Sequence, residues 1–235
     1  MNIKERILFE DNHLLIVNKE AKELVQGDKT GDPTLADHLK AYIKVKYKKP
    51  GEVYLGIVHR IDRPTSGVVV FTKTSKALAR LNAQFANREV KKSYWALVEG
   101  HVADDKARLE HMLLRDGNRN KSFVSMTPQA KKAVLSYEVM HRVDKYSLLA
   151  VSLETGRHHQ IRCQLAKIGH PVQGDVKYGA RRGNKDNSIG LHAQSIAFNH
   201  PTLKDPVSLS ASPPKQGIWH IAPPNMKDLK KTLHD

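Results

Sequence analysis

One carboxylate set between two arginines, on a turn that feeds an apolar run, constrains this chain more than any other feature. The stretch is His59-Arg60-Ile61-Asp62-Arg63-Pro64-Thr65-Ser66-Gly67, followed at once by Val68-Val69-Val70-Phe71. Pro64 fixes the backbone and Gly67 relieves it, so the spacing predicts a tight turn leading into a strand. Nearby positive charge favours the ionised carboxylate at Asp62. A carboxylate held on such a turn can serve as nucleophile or base. The plainer reading is a solvated surface ion pair, worth ~0–1 kcal/mol.

A second basic segment follows about a hundred residues on: Leu153-Glu154-Thr155-Gly156-Arg157-His158-His159-Gln160-Ile161-Arg162-Cys163-Gln164-Leu165. Thr155-Gly156 ends an apolar strand over Tyr146 to Val151, and Ile161, Leu165 and Ile168 then recur at helical spacing. A strand, a glycine turn and a short helix are predicted, with Arg157, His158, His159 and Arg162 in its first turns. Such a cluster reads as an anion site, a carboxylate partner, or simply a basic helix start.

Together the segments resemble a known family. HRIDRPTSG-VVV is similar to the HRLD-x-x-TSG-LLL motif of the RluA family of RNA pseudouridine synthases, and ETGRHHQIR resembles that family's (E/K)TGR-(T/H)-HQIR. Three weaker matches lie in the expected order: Asp11 to Lys19, Lys92-Ser93-Tyr94-Trp95-Ala96-Leu97-Val98-Glu99-Gly100, and Gly190-Leu191-His192-Ala193. The resemblance runs from about Asp11 to about Pro214. Glu20 stands where the family usually has proline, which puts a shared backbone bend there in doubt.

Composition agrees. The 235 residues carry 39 Lys+Arg against 24 Asp+Glu, a formal net charge of +15. That excess favours a polyanionic partner, nucleic acid or anionic membrane. No apolar run approaches the ~20 residues needed to span a bilayer. The N-terminus, Met1-Asn2-Ile3-Lys4-Glu5-Arg6, lacks an apolar signal core. The single cysteine, Cys163, excludes an internal disulfide framework and suits a reducing cytoplasm. The length suits one larger domain or two closely packed halves.

Along the chain, strands are expected at Leu14–Val17, Val53–Val58, Val68–Thr72, Tyr94–Val98, Ala133–Val143 and Ser147–Leu153. One helix carries Leu35, Leu39, Tyr42 and Ile43 inward, with a lysine-rich outer face. Another is capped by Ser75, with Leu78, Leu81 and Phe85 inward. Hairpins mixed with isolated helices predict an α+β fold with a mainly antiparallel, mixed sheet. The resemblance implies the same, as a long bent sheet crossed by a central catalytic cleft. Arg115–Lys121 and Lys177–Lys185 read as polar basic loops, suited to phosphate contacts or to mere surface mobility. The whole of 1–235 is expected to be one catalytic domain. Because motif-like sequence begins by Asp11, no separate N-terminal RNA-binding domain is expected.

Pseudouridine formation, which the resemblance implies, breaks the N1–C1′ bond of a uridine and rejoins the base through C5. It involves no redox step, so no cofactor is expected, and neither GxGxxG nor GxxxxGK[ST] occurs. The resemblance assigns catalysis to Asp62, pairs Arg162 with it, and places Tyr94 on the uracil with a possible part in removing the C5 proton. It packs Ile161 against the base and inserts Arg60 where the extruded base stood. Its alternative for Arg60 is another ion pair. His59, Arg157 and His158 are the remaining candidates for substrate contact. His159 and Cys163 have the i, i+4 spacing of a zinc pair, but no CxxC or HExxH accompanies them, so no metal is expected. The expected partner is a ribosomal or transfer RNA stem-loop, with no membrane, and a monomer. The rival readings are an inactive RNA-binding or RNA-remodelling protein on the same fold and an Asp/His nuclease using His59 and Asp62. The nuclease lacks the acidic cluster that would hold its metal.

Overall fold

The computed structural model describes residues 3–28, 30–215 and 217–221. Met1 and Asn2, and the end of the expected domain beyond 221, lie outside the described residues. The strands are β1 (Ile7–Glu10), β2 (Leu14–Lys19), β3 (Gly56–Ile57), β4 (Ser66–Thr72), β5 (Lys91–Glu99), β6 (Lys106–Asp116), β7 (Lys121–Val124), β8 (Lys131–Val143), β9 (Tyr146–Leu153), β10 (Leu191–Asn199) and β11 (Pro206–Ser210). The helices are α1 (Leu35–Lys46), α2 (Ser75–Ala86) and α3 (Gln160–Lys167). All strands join one eleven-stranded sheet, ordered β1-β2-β4-β10-β5-β9-β8-β6-β7, with β3 on β4 and β11 on β10. Every pair is antiparallel except β4 with β10, where Ser66 lies beside His192 and Gly67 beside Ala193. The expected mixed, mainly antiparallel α+β fold is what forms.

The apolar run after the Asp62 turn is continuous because both faces of β4 are covered. Alternate residues point to opposite sides. Leu15, Val17, Val69 and Phe71 pack with Leu35, Leu39 and Ile43 of α1. Leu14, Ile16, Val68 and Val70 pack instead with Leu81 of α2. Gly67 is where the motif needs glycine: its φ is +119°, and a Cβ there would lie 2.2 Å from the carbonyl oxygen of Ala193.

Several boundaries differ from the sequence reading. The strand expected over Val53–Val58 shrinks to β3, because only Gly56 and Ile57 find partners on β4. Thr74, not Ser75, caps α2 by accepting from the Ala77 N–H. The expected loop Arg115–Lys121 is mostly hairpin: Arg115 and Asp116 end β6 and Lys121 opens β7. Helix α3 starts only at Gln160, so Arg157 and His158 precede it. His159 stands at its cap with φ +51°, a left-handed backbone that costs a non-glycine residue energy and concentrates at functional sites.

Candidate active site

The loop from β3 to β4 carries Asp62 to the wall of a cleft of about 1520 Å³. His59, Arg60, Ile61, Tyr94, Ile161 and Arg162 share that lining. The Thr65 N–H donates to the Asp62 carbonyl and closes the turn. Lys19, wholly buried at the end of β2, donates through Nζ to the carbonyls of Glu20 and Arg63 and ties the opening segment to the Asp62 turn. Burial takes that ammonium down to about 7. Glu20 uses what a proline would lack: its N–H donates to Glu23 Oε2.

The arginines flanking Asp62 in sequence do not pair with it. Arg63 turns away to Asp32, 2.7 Å off, and to the Lys22 carbonyl. Arg60 is exposed and, among the described residues, hydrogen-bonds only Gln26, at 3.4 Å. The partner of Asp62 is Arg162, whose Nη1 donates to Oδ2 at 3.1 Å. Arg162 is buried and is itself gripped by Asp175, which accepts from Nε at 2.6 Å and from Nη2 at 2.8 Å. Two carboxylates and one planar guanidinium thus form a buried fork, the geometry for which arginine is suited and lysine is not. The hydrogen bonds and charge of Asp175, with the charge of Asp62, outweigh desolvation and raise the Arg162 pKa further.

A histidine completes the surround. His159 Nε2 lies 3.5 Å from Asp62 Oδ2. Its Nδ1 lies 3.0 Å from the Tyr178 hydroxyl, which accepts from the Ser122 N–H at 2.8 Å. If the Tyr178 hydroxyl, while accepting from Ser122, donates to Nδ1, the ring carries its own proton on Nε2, facing Asp62. Burial first, then the charge of Arg162, holds His159 down to about 2, so it is neutral at working pH. His158 stacks on it, centroids 3.8 Å apart, and bonds Ser122 and Asn120.

The chain matches the RNA pseudouridylate synthase family over residues 13–167. It belongs to that family. It is 35% identical over 212 residues to the RNA pseudouridine synthase YlyB of Bacillus subtilis, covering 89% of this chain and 69% of that one. It is 36% identical over 225 residues to ribosomal large subunit pseudouridine synthase D of Zymomonas mobilis, covering 91% and 71%. Human RNA pseudouridylate synthase domain containing 4 shares the fold at a TM-score of 0.77 and 22% identity, over 91% of this chain and 90% of that one.

In this synthase Tyr94 is buried on β5 with its ring on the cleft. Burial, then the charge of Asp62, raises its pKa, so the phenol keeps its proton at neutral pH. Ile161 is buried at the start of α3 and also lines the cleft. His59 lines the wall but is engaged: its Nε2 accepts from the Val70 N–H and its ring stacks on Phe85 at 5.2 Å. Burial pushes it down to about 3, which removes it as a cation. Arg157 is exposed in the cleft lining and donates through Nε to the Lys132 carbonyl.

The cleft charge is unbalanced in a consistent way. Its acids are matched: Asp62 with Arg162, Glu138 with Lys106, Glu154 with Arg108. Among the described residues, Arg60, Arg88, Lys91, Lys92, Arg115 and Arg157 line it with no carboxylate within ion-pair distance. Unmatched cations along a groove attract a polyanion. Among the described residues there is no group of three metal-ligating side chains. Cys163 packs in a small apolar cluster with Leu113, Ala133 and Tyr178, and His159 is committed to Tyr178. No described helix is long and apolar enough to cross a membrane.

Asp175, Tyr178 and Ser122 escaped the sequence reading. Ser122 lies on β7; Tyr178 falls within the Lys177–Lys185 stretch expected as a basic loop, and Asp175 just ahead of it, in the segment Gly174-Asp175-Val176-Lys177-Tyr178-Gly179. Its glycines hold φ of +81° and +100°, and an acid set beside such turns was the available signal.

Proposed function

We propose that the chain isomerises a uridine of ribosomal RNA to pseudouridine, with Asp62 as its catalytic carboxylate. The observation that carries this reading is the fork in which Arg162 bridges Asp62 to Asp175 at the wall of a cation-lined cleft. Arg162 fixes the carboxylate's position. Asp62 then acts on C1′, on C6, or on the C2′ proton. The N1–C1′ bond breaks, the base turns, C5 bonds to C1′, the C5 proton leaves and N1 gains one. Tyr94 packs against the uracil from one side and Ile161 from another. The raised phenol pKa means that any help at C5 starts from the neutral hydroxyl.

The target must leave its stack, at a cost of a few kcal/mol. Arg60 is exposed, without an acidic partner among the described residues, two residues from Asp62, and placed to stack into the gap. Two of the relatives' features favour ribosomal over transfer RNA: the names of the Zymomonas mobilis and Vibrio vulnificus proteins both specify the ribosomal large subunit. The test is to map pseudouridines in ribosomal and transfer RNA from cells with and without this protein. A missing ribosomal site, restored by the gene, is expected. An unchanged ribosomal map would refute the assignment.

A further inference from the structure

One of the unmatched cations of the cleft sits beside a glycine and has no task in the catalytic reading. Lys92 lies on β5 two residues before Tyr94, so both side chains stand on the same face of the strand. Its Nζ lies 5.6 Å from the Phe85 ring centroid. Among the described residues it has neither a hydrogen-bond acceptor nor a carboxylate partner. A largely desolvated ammonium without an anion is costly, and burial lowers its pKa. On the far side stands Gly156, where a Cβ would come 3.3 Å from Nζ. Gly156 has ordinary backbone geometry, so no left-handed turn requires glycine there. What the missing side chain leaves is open access to the ammonium.

We propose that Lys92, with Gly156 open beside it, is the seat of a backbone phosphate of the RNA strand, one flanking the uridine that reaches Asp62. This rests on the reading of the cleft as the uridine site. Two strand residues separate Lys92 from Tyr94 by about 6.6 Å, a span of the kind a nucleotide makes between its base and its phosphate. The phosphate would supply the anion that Lys92 lacks. The contact carries no sequence information; it sets the register of the strand, so that one nucleotide and not its neighbour faces Asp62.

The test uses ribosomal RNA transcribed in vitro, hence unmodified. Lys92→Met keeps the aliphatic stem over Phe85 and removes the charge. Its KM should rise about tenfold while kcat, read by tritium release from C5-labelled uridine, stays within about twofold. The slope of log affinity against log salt should fall by ~0.7–0.9, the loss of one phosphate contact. Lys92→Arg should restore most of both. Gly156→Ala leaves the charge but fills the seat, and should raise KM in the same direction. If Lys92→Met proves unstable, Gly156→Ala alone decides. Unchanged KM and salt slope, or a loss confined to kcat, overturns the proposal. A wild-type protein that binds this RNA but releases no tritium defeats the catalytic reading instead, while the salt slopes still judge Lys92.

Discussion

Asp175 accepts two hydrogen bonds from Arg162, at 2.6 and 2.8 Å, while the remaining arm of the guanidinium reaches Asp62 at 3.1 Å. The pair is buried on both sides, Asp175 to 2% exposure. Breaking a buried pair by removing one partner typically costs ~3–5 kcal/mol, because the other charge stays behind. Arg162→Ala should therefore both lower the urea midpoint strongly and abolish tritium release. Asp175→Asn should lower activity with Asp62 untouched. Arg162→Lys should recover only part, since lysine cannot fork. A fully active, normally stable Arg162→Ala protein would contradict the arrangement.

Asp62→Asn is nearly isosteric and a far poorer nucleophile or base. It should stop turnover and leave RNA binding within a few-fold. Tritium release together with a filter-binding titration separates the two effects. Near-normal release by the variant would remove Asp62 from its role.

Tyr178→Phe removes the hydroxyl that hydrogen-bonds His159 Nδ1 and leaves the Ser122 N–H without its acceptor. A stability loss of ~1–3 kcal/mol is expected from the unsatisfied donor. With its proton free to sit on Nδ1, the ring would turn a lone pair toward Asp62. Activity should fall at least several-fold. Nitrogen NMR of labelled histidine should show Nε2–H for His159 in the parent protein and a mixture in the variant. A pure Nδ1–H form in the parent would show that Tyr178 does not donate to His159.

Arg60→Ala should slow reaction on a structured stem-loop by about tenfold more than on a single strand carrying the same uridine, because only the duplex leaves a gap to fill. Asp62→Asn should stop both. Equal slowing on the two substrates would place Arg60 in the active-site charge network.

Acid should destabilise the fold before its carboxylates titrate. Burial holds His59 at about 3, His159 at about 2 and His192 at about 4, all below the usual histidine value of 6.5. Below pH 6.5 the unfolded chain gains protons that the folded chain refuses, so stability is full above that pH and drains as pH falls. The urea midpoint should drop between pH 6.5 and 4.5. His192→Asn should flatten that slope by up to one proton. A midpoint that is level across this window would contradict neutral buried histidines.

Legibility followed whether a residue's role is local. Asp62 and the strand after it were readable, because proline, glycine and a β-branched run act on their own neighbours. The Arg162 pairing came through family resemblance alone; spacing cannot join residues a hundred positions apart. The flanking arginines misled, since sequence adjacency put Arg63 beside Asp62 while the turn sent it to Asp32. Asp175 was invisible because its burial depends on packing between two glycine turns. The α3 boundary failed because the left-handed backbone of His159 has no compositional mark.

Among the described residues, β10 is the only strand that pairs with both β4 and β5. The pieces it joins bear the two sides of the cleft, Asp62 on one and Tyr94 on the other. A chain emerging from the ribosome has made both pieces well before Leu191, yet until then no ladder fixes one against the other. Setting the two sides against each other is therefore a late event in synthesis, and a nascent chain stalled at Gly190 would hold Asp62, Tyr94 and Arg162 without the strand that sets β4 against β5.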